Sequence, residues 1–379
     1  MRRPSKRASF TKGELIIQAV MLAAAVLVIW ALAATALANL RARGMASGFE
    51  FLERPAGFQI AQSWIAYDPV DSHARVFLVG ALNTLSVAAA GIVLATVIGV
   101  VAGVARRARS LVARGAASVY VEVARNTPLP IQLLVWYALI TAAPPPRAAL
   151  ALGDAIFLTN RGLHLPSLTT AAPAWVLFFI LGALGVGSAL VLWALTARGA
   201  TRHRRFVLKG AVVLGLAILG LAIRGVSLPH RTGFGFEGGL EVSPPLLSLL
   251  AALTFYTGGY IAEIVRGGLA SVDRGQGEAA AALGLSPLQT VRLVTLPQAL
   301  RVMAPPMVSQ YLNLLKNSSL AVVVGYPDLV AVFGGTSLNQ TGQAIETLGL
   351  VLVFFVAVSL TLSWAVNSWS RRQQRWSVR

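Results

Sequence analysis

Apolar residues in this chain run together in long blocks and do not alternate with polar ones. The blocks are Leu15 to Leu37, Val76 to Val104, about Ala116 to Ala142, Pro173 to Thr196, Phe206 to Ile223, Leu246 to Val265, Met303 to Val324 and Ile345 to Trp369. An α-helix crosses the hydrocarbon of a bilayer with about 20 apolar residues, whereas a barrel strand reads as an alternation over about ten. The pattern therefore predicts an all-α fold, a polytopic membrane helical bundle of about eight transmembrane helices. Three blocks carry polar residues inside them. Asn83 and Thr84 lie in the second, Glu122, Arg125 and Asn126 in the third ahead of Thr127-Pro128-Leu129-Pro130, and Pro305, Pro306, Asn313, Lys316 and Asn317 in the seventh.

The basic residues set an orientation. Arg2, Arg3, Lys6, Arg7 and Lys12 precede the first block, Arg106, Arg107, Arg109 and Arg114 follow the second, and Arg198, Arg202, Arg204, Arg205 and Lys209 flank the turn between the fourth and fifth. Arg371, Arg372, Arg375 and Arg379 close the chain. Lys and Arg accumulate in cytoplasmic loops, so both termini are expected in the cytoplasm. The first block is longer than the apolar core of a signal peptide and is expected to be retained. Leu40 to Arg75, the stretch from Pro144 to Ala172, Arg224 to Pro245 and Tyr326 to Gln343 are then outer loops. Residues 1–75 form an N-terminal helix and outer segment, 76–370 the transmembrane domain with an insertion at about 143–245, and 371–379 a basic tail.

Composition agrees with the pattern and removes other classes. Hydrophobic residues make up 56% and charged ones 12%, about half the charge of a soluble domain. The net charge of +18 is spread over short loops, and no basic domain exists to carry nucleic acid. With no Cys, thiolate chemistry and disulfides are excluded. His73, His164, His203 and His230 are scattered, so no metal site is expected. A phosphate-binding loop needs Gly before its Lys, and none of Lys6, Lys12, Lys209 or Lys316 has one. Gly-x-Ser-x-Gly and His-Glu-x-x-His are also missing, so no catalytic residue is assigned and the chain is not expected to be an enzyme.

Asp273 to Pro297, DRGQGEAAAALGLSPLQTVRLVTLP, is polar and helix-forming between two apolar blocks, and the orientation puts it in the cytoplasm. Glu278 opens an alanine run, where an acidic residue near a helix start is favoured. Gly284 permits the left-handed turn that ends such a helix, and Ser286, Pro287 and Gln289 supply a capping box for a second. Helices this short are marginal in water. Two readings are open on physics alone: the loop packs on its own bundle, or it docks to another protein.

The spacing Glu278-Ala279-Ala280, Gly284, Val294, Leu296-Pro297 resembles the EAA motif of permease subunits of bacterial ABC importers, with Val294 where Ile is more usual. Val121 to Gln132, Ala262 to Gly268, Leu296 to Arg301 and Lys316-Asn317-Ser318-Ser319-Leu320 resemble the polar amino-acid branch. With Phe51 to Phe58 and the extra helices, they resemble the larger permeases of general L-amino-acid importers. The resemblance implies a type I importer permease core in the bacterial inner membrane, with the EAA loop docked into an ABC ATPase subunit. It implies as partners a second, non-identical permease, a periplasmic amino-acid-binding protein and membrane lipid, with an amino acid as substrate. No cofactor is expected in this chain, since ATP and Mg would be used by the partner ATPase.

Within the blocks, Glu122, Arg125, Asn126, Lys316, Asn317 and Ser318 are candidates for the translocation path or its gate. Each has a plainer reading. Lys316 can pair with Glu122 or Glu263, or snorkel to the interface; Glu122 can pair with Arg125, and Glu263 with Arg266. Asn83 and Thr84 can hydrogen-bond between helices. Two rival functions are a secondary amino-acid transporter driven by an ion gradient, which needs a charged site at mid-membrane, and a membrane enzyme, which needs a catalytic constellation at one interface.

Overall fold

The computed structural model describes residues 12–42, 48–170, 223–233 and 235–374. In chain order the numbered helices are α1 (Lys12–Ala42), α2 (His73–Ala105), α3 (Leu111–Asn126), α4 (Leu129–Thr141), α5 (Pro244–Ala270), α6 (Arg274–Ala282), α7 (Pro287–Thr290), α8 (Leu296–Asn317) and α9 (Ala344–Gln374). The expected outer loop before α9 contains a further helical stretch, Val330–Ser337 running into Leu338–Thr341. Among the described residues, α2, α5 and the Ala344–Ser363 part of α9 are long and apolar enough to cross a membrane. The mostly helical membrane fold is as expected. The fourth and fifth blocks lie outside the described residues, apart from Ile223, which opens a strand.

Local chemistry sets the helix starts. Ser72 Oγ accepts from Arg75 N at the head of α2, and Ser243 Oγ accepts from Leu246 N at the head of α5, where Pro244 and Pro245 fill the first turn. The third block differs from one continuous helix. Pro128 carries no N–H and disfavours helical geometry at Thr127, whose ψ of 125° is extended, so α3 ends and α4 begins anew. Gln132 turns its Nε2 back to the Ala124 and Thr127 carbonyls at 2.9 Å each. Those carbonyls would otherwise stand unsatisfied inside the bundle.

The core is the seam between α2 and α5, with α4 and α8 packed against it. Val87, Ala95, Leu133, Leu249, Leu253, Ile261 and Leu314 are buried there. Lipid is as apolar as these side chains, so close fit rather than exclusion of water holds the seam. Gly99 allows that fit: a Cβ on it would lie 2.6 Å from Ile261 Cβ.

Outside the bundle, residues 48–72 fold back as a strap over the head of α2. Ala56 N donates to Asp71 O and Gly57 N to Pro69 O, both at 2.8 Å, closing the strap on itself. Phe51, fully buried, seats against His73 and Phe333 with ring centroids 6.0 and 6.1 Å away. Asn83 and Thr84, expected to hydrogen-bond between helices, tie α2 to its neighbours: Asn83 Nδ2 donates to the strap and to Pro327 O, and Thr84 Oγ1 accepts at 3.0 Å from Leu329 N at the head of the helical stretch that begins at Val330.

The insertion's flanks, expected as outer loops, hold short strands. These are β1 (Leu150–Leu152), β2 (Ile156–Thr159), β3 (Gly162–Leu165), β4 (Ser167–Thr170), β5 (Ile223–Ser227), β6 (His230–Arg231), β7 (Phe236–Glu237) and β8 (Leu240–Val242). They pair antiparallel in the order β1-β2-β3-β8, with β4 on β5 and β6 on β7. His164 stacks on Phe236 at 4.3 Å, and its burial holds the imidazole below its usual pKa while Glu241 acts in the opposite sense.

Replacing Gly99 by Val should wedge α2 from α5. Overpacking of this kind costs about 1–3 kcal/mol, so the thermal midpoint of the purified chain in detergent is expected to fall. An unchanged midpoint would contradict the close packing.

Candidate functional site

The loop from Asp273 to Pro297 is built by consecutive capping devices. Asp273 Oδ1 accepts from Gly275 N at 2.7 Å and starts α6 five residues ahead of Glu278, which therefore sits inside the helix and does not open it. Two glycines in its first turn, Gly275 and Gly277, hide this start in the sequence. The helix ends as expected: Gly284 takes φ +76°, Leu285 N donates to Ala280 O and Gly284 N to Ala281 O. That pair of bonds satisfies two terminal carbonyls. The capping box is also formed, with Ser286 N on Gln289 Oε1 at 2.8 Å and Gln289 N on Ser286 Oγ at 3.4 Å.

Beyond the capping box the helix does not stay short. α7 runs through a π-helical segment, Val291–Thr295, directly into α8, so Pro287 to Asn317 is one continuous helical rod. At 1.5 Å per residue it is about 45 Å long. Its lower part is clamped, since Ala299 and Met303 are buried and a Cβ on Gly268 of α5 would meet Met303 Cγ at 2.2 Å. Gln298 Nε2 donates to Gln276 Oε1 at 3.3 Å and ties α6 to the rod.

Ala280 alone of the motif residues is fully buried. Glu278, Ala279, Gly284 and Leu296 are exposed, and Val294 and Pro297 are half-buried. Around them Leu283 is 82% and Leu288 77% exposed. These two large apolar side chains, held outward by a doubly capped turn, do not pack on the described part of the bundle.

The membrane candidates do not form one constellation. Glu122 accepts from Asn126 Nδ2 at 3.3 Å, and Arg125 lies 5.3 Å over the Tyr260 ring, so the expected Glu122–Arg125 pair is replaced by these contacts. Ser318 is buried and donates to Leu315 O at 2.7 Å; Asn317 is half-buried. Lys316 is exposed and, among the described residues, pairs with neither Glu122 nor Glu263. It lies on one face of α8 with exposed Ser309 and Asn313, a spacing of four and three that is legible in the sequence. Glu263 pairs with Arg266 as expected and also with Arg106 at the end of α2, bolting α2 to α5 there. Among the described residues no three His, Asp or Glu side chains converge as metal ligands.

Known proteins resemble this chain over most of its length. Residues 239–376, which include α5 to α9, match the family model for the binding-protein-dependent transport system inner membrane component. YhdX of Escherichia coli (strain K12), named for an amino-acid ABC transporter permease, is 42% identical over 88% of this chain and 87% of its own. The general L-amino acid transport system permease protein AapQ of Rhizobium johnstonii is 41% identical, covering 89% and 86%. The glutamate/glutamine/aspartate/asparagine transport system permease protein BztB of Rhodobacter capsulatus is 36% identical, covering 88% and 87%. The chain belongs to the family of inner-membrane permease components of binding-protein-dependent ABC transport systems.

Proposed function

We propose that this chain carries polar L-amino acids inward as one half of a paired permease, driven by an ATPase that grips the α6–α7 turn. The observation that carries the reading is that turn: an apolar, doubly capped, exposed face fused through a continuous helix to the membrane core. ATP and Mg are held by the partner ATPase. A periplasmic binding protein delivers the substrate to the outer face, and both termini lie in the cytoplasm, as the distribution of Arg and Lys supports. The named functions of the relatives support amino acids as cargo, and a second, non-identical permease as partner follows from the resemblance to the larger permeases of general L-amino-acid importers.

The mechanism is alternating access. ATP binds the closed ATPase dimer better than the open one, and that difference is the only free energy available to shift the permease. Closure moves Glu278 to Gly284 and, through the rod that starts at Pro287, tilts α8 against α5. The Ser309, Asn313 and Lys316 face cannot lie against lipid without a large cost. It therefore lines the path or the seam with the second permease, and Lys316 offers a cation to a substrate carboxylate. Glu122, Arg125 and Asn126 stand at the break between α3 and α4, where irregular backbone in a transporter borders a cavity.

Gly284→Val forces a β-branched residue into a left-handed conformation, which costs about 1–2 kcal/mol. Uptake by the reconstituted importer should be lost while the chain remains in the membrane; uptake persisting with the ATPase bound would overturn the coupling role. Leu283→Asp with Leu288→Asp should abolish co-purification of the ATPase, and intact co-purification would show that the docking face is elsewhere. Lys316→Gln should reduce uptake by more than about fivefold with the ATPase still bound. Wild-type uptake in that variant would remove Lys316 from the path.

A further inference from the structure

The outer end of the bundle contains a buried polar junction that the transport mechanism does not use. Three segments meet at Asn83 of α2, whose Nδ2 donates to Gln62 O of the strap at 2.9 Å and to Pro327 O of the turn after the seventh block at 2.7 Å. The approach is tight, since a Cβ on Gly80 would lie 2.8 Å from Leu329 Cα. Both amide hydrogens of Asn83 are committed to carbonyls, so its amide cannot be reversed, and Oδ1 is left without a donor. Gln62 Oε1 is buried and unpartnered in the same way.

Asp328 comes directly after Pro327 and is 1% exposed. Its Oδ1 accepts from Ala331 N at 2.8 Å, and its Oδ2 has no partner. The junction thus holds three buried oxygens that need a donor. The ionisable groups on the segments meeting here are engaged elsewhere or carry no opposite charge to Asp328. His73 Nδ1 bonds Ser337 Oγ, Arg75 donates to Ala66 O, and Glu346 Oε1 accepts from Gly48 N. Asp68 and Asp71 accept strap amides, Tyr326 is hydrogen-bonded to Trp64, Glu50, Glu53 and Tyr67 carry no positive charge, and Arg54 of the strap acts on His73. Among the described residues none of these forms an ion pair with Asp328.

We propose that Asp328 is a proton-binding site on the outer face, protonated while the strap is docked and donating its Oδ2–H to a junction amide oxygen, and that it releases the proton to outer water when the junction opens. One proton satisfies the donorless Oδ2 and one amide oxygen at once. A buried carboxylate with no cation would carry the full cost of desolvation. Burial accordingly raises the Asp328 pKa from its ordinary 3.8 to about 7, against the pull of the Val330 and Ala331 amides.

Linkage gives the sign. Between these two values the closed junction binds a proton that the open one has lost, so closure weakens as pH rises through the window and levels off above about 7. The test is hydrogen exchange at the Leu329 and Ala331 amides in the full-length chain, co-purified with its partner subunits in nanodiscs, from about pH 5 to pH 8.5. After correction for the chemical exchange rate, opening should rise by about tenfold per pH unit at most, then flatten above about pH 7. Asp328→Asn should give a flat profile. A flat wild-type profile, an Asp328→Asn profile that still rises, or a rise that tracks sodium at fixed pH would each overturn the proposal.

Discussion

The chain between Ala280 and Gln289 has no slack, and on the proposed mechanism that constraint is what lets force reach the membrane core. The reversal is held at both ends by hydrogen bonds: the Gly284 turn closes α6, and the Ser286–Gln289 box opens the next helix within two residues. A flexible linker here would absorb displacement as entropy. A capped corner passes it to the helix beyond, which is continuous through the π-helical segment into α8. A π-turn is a common device at functional sites in helices, and here it lies between the docking face and the clamp at Met303.

The rest of the bundle gives the rod something to act against. α2 and α5 are locked by the close approach at Gly99 and bolted at the C-terminal end of α2 by Glu263 with Arg106 and Arg266. α8 has a different character, with Pro305 and Pro306 removing two rungs of its ladder and a polar face left uncovered by the described residues. A rigid pair beside a softer, polar helix is an arrangement in which one element can tilt while the others stay fixed. At the opposite end of α2 the strap packs over the head of that helix and the Phe333 segment.

Much of this is legible in the amino-acid order because it rests on local rules. The long apolar blocks, the positive φ at Gly284, the capping box and the Glu263–Arg266 pair depend on residues within a few positions of each other. The departures are of a different kind. The third block reads as one span because it is strongly apolar on both sides of its polar residues, yet Pro128 divides it and Gln132 repairs the break from the far side. The start of α6 at Asp273 is masked by glycines that depress helix propensity. The β3–β8 pairing joins residues on opposite sides of the insertion, a contact with no local signature. Asp328 looks like an ordinary turn residue, and only tertiary packing buries it.

If the continuous helix from Pro287 carries the ATPase stroke into the membrane, breaking its continuity must uncouple the two. Inserting two glycines between Thr295 and Leu296 separates the docking face from α8 without altering either. In the reconstituted importer, substrate uptake and ATP hydrolysis would be measured together, with the ATPase subunit quantified in the same vesicles. The ATPase should stay bound and hydrolyse ATP at a rate indifferent to substrate while uptake is lost. Uptake that continues at the wild-type ratio to ATP consumed would contradict the coupling role of the rod.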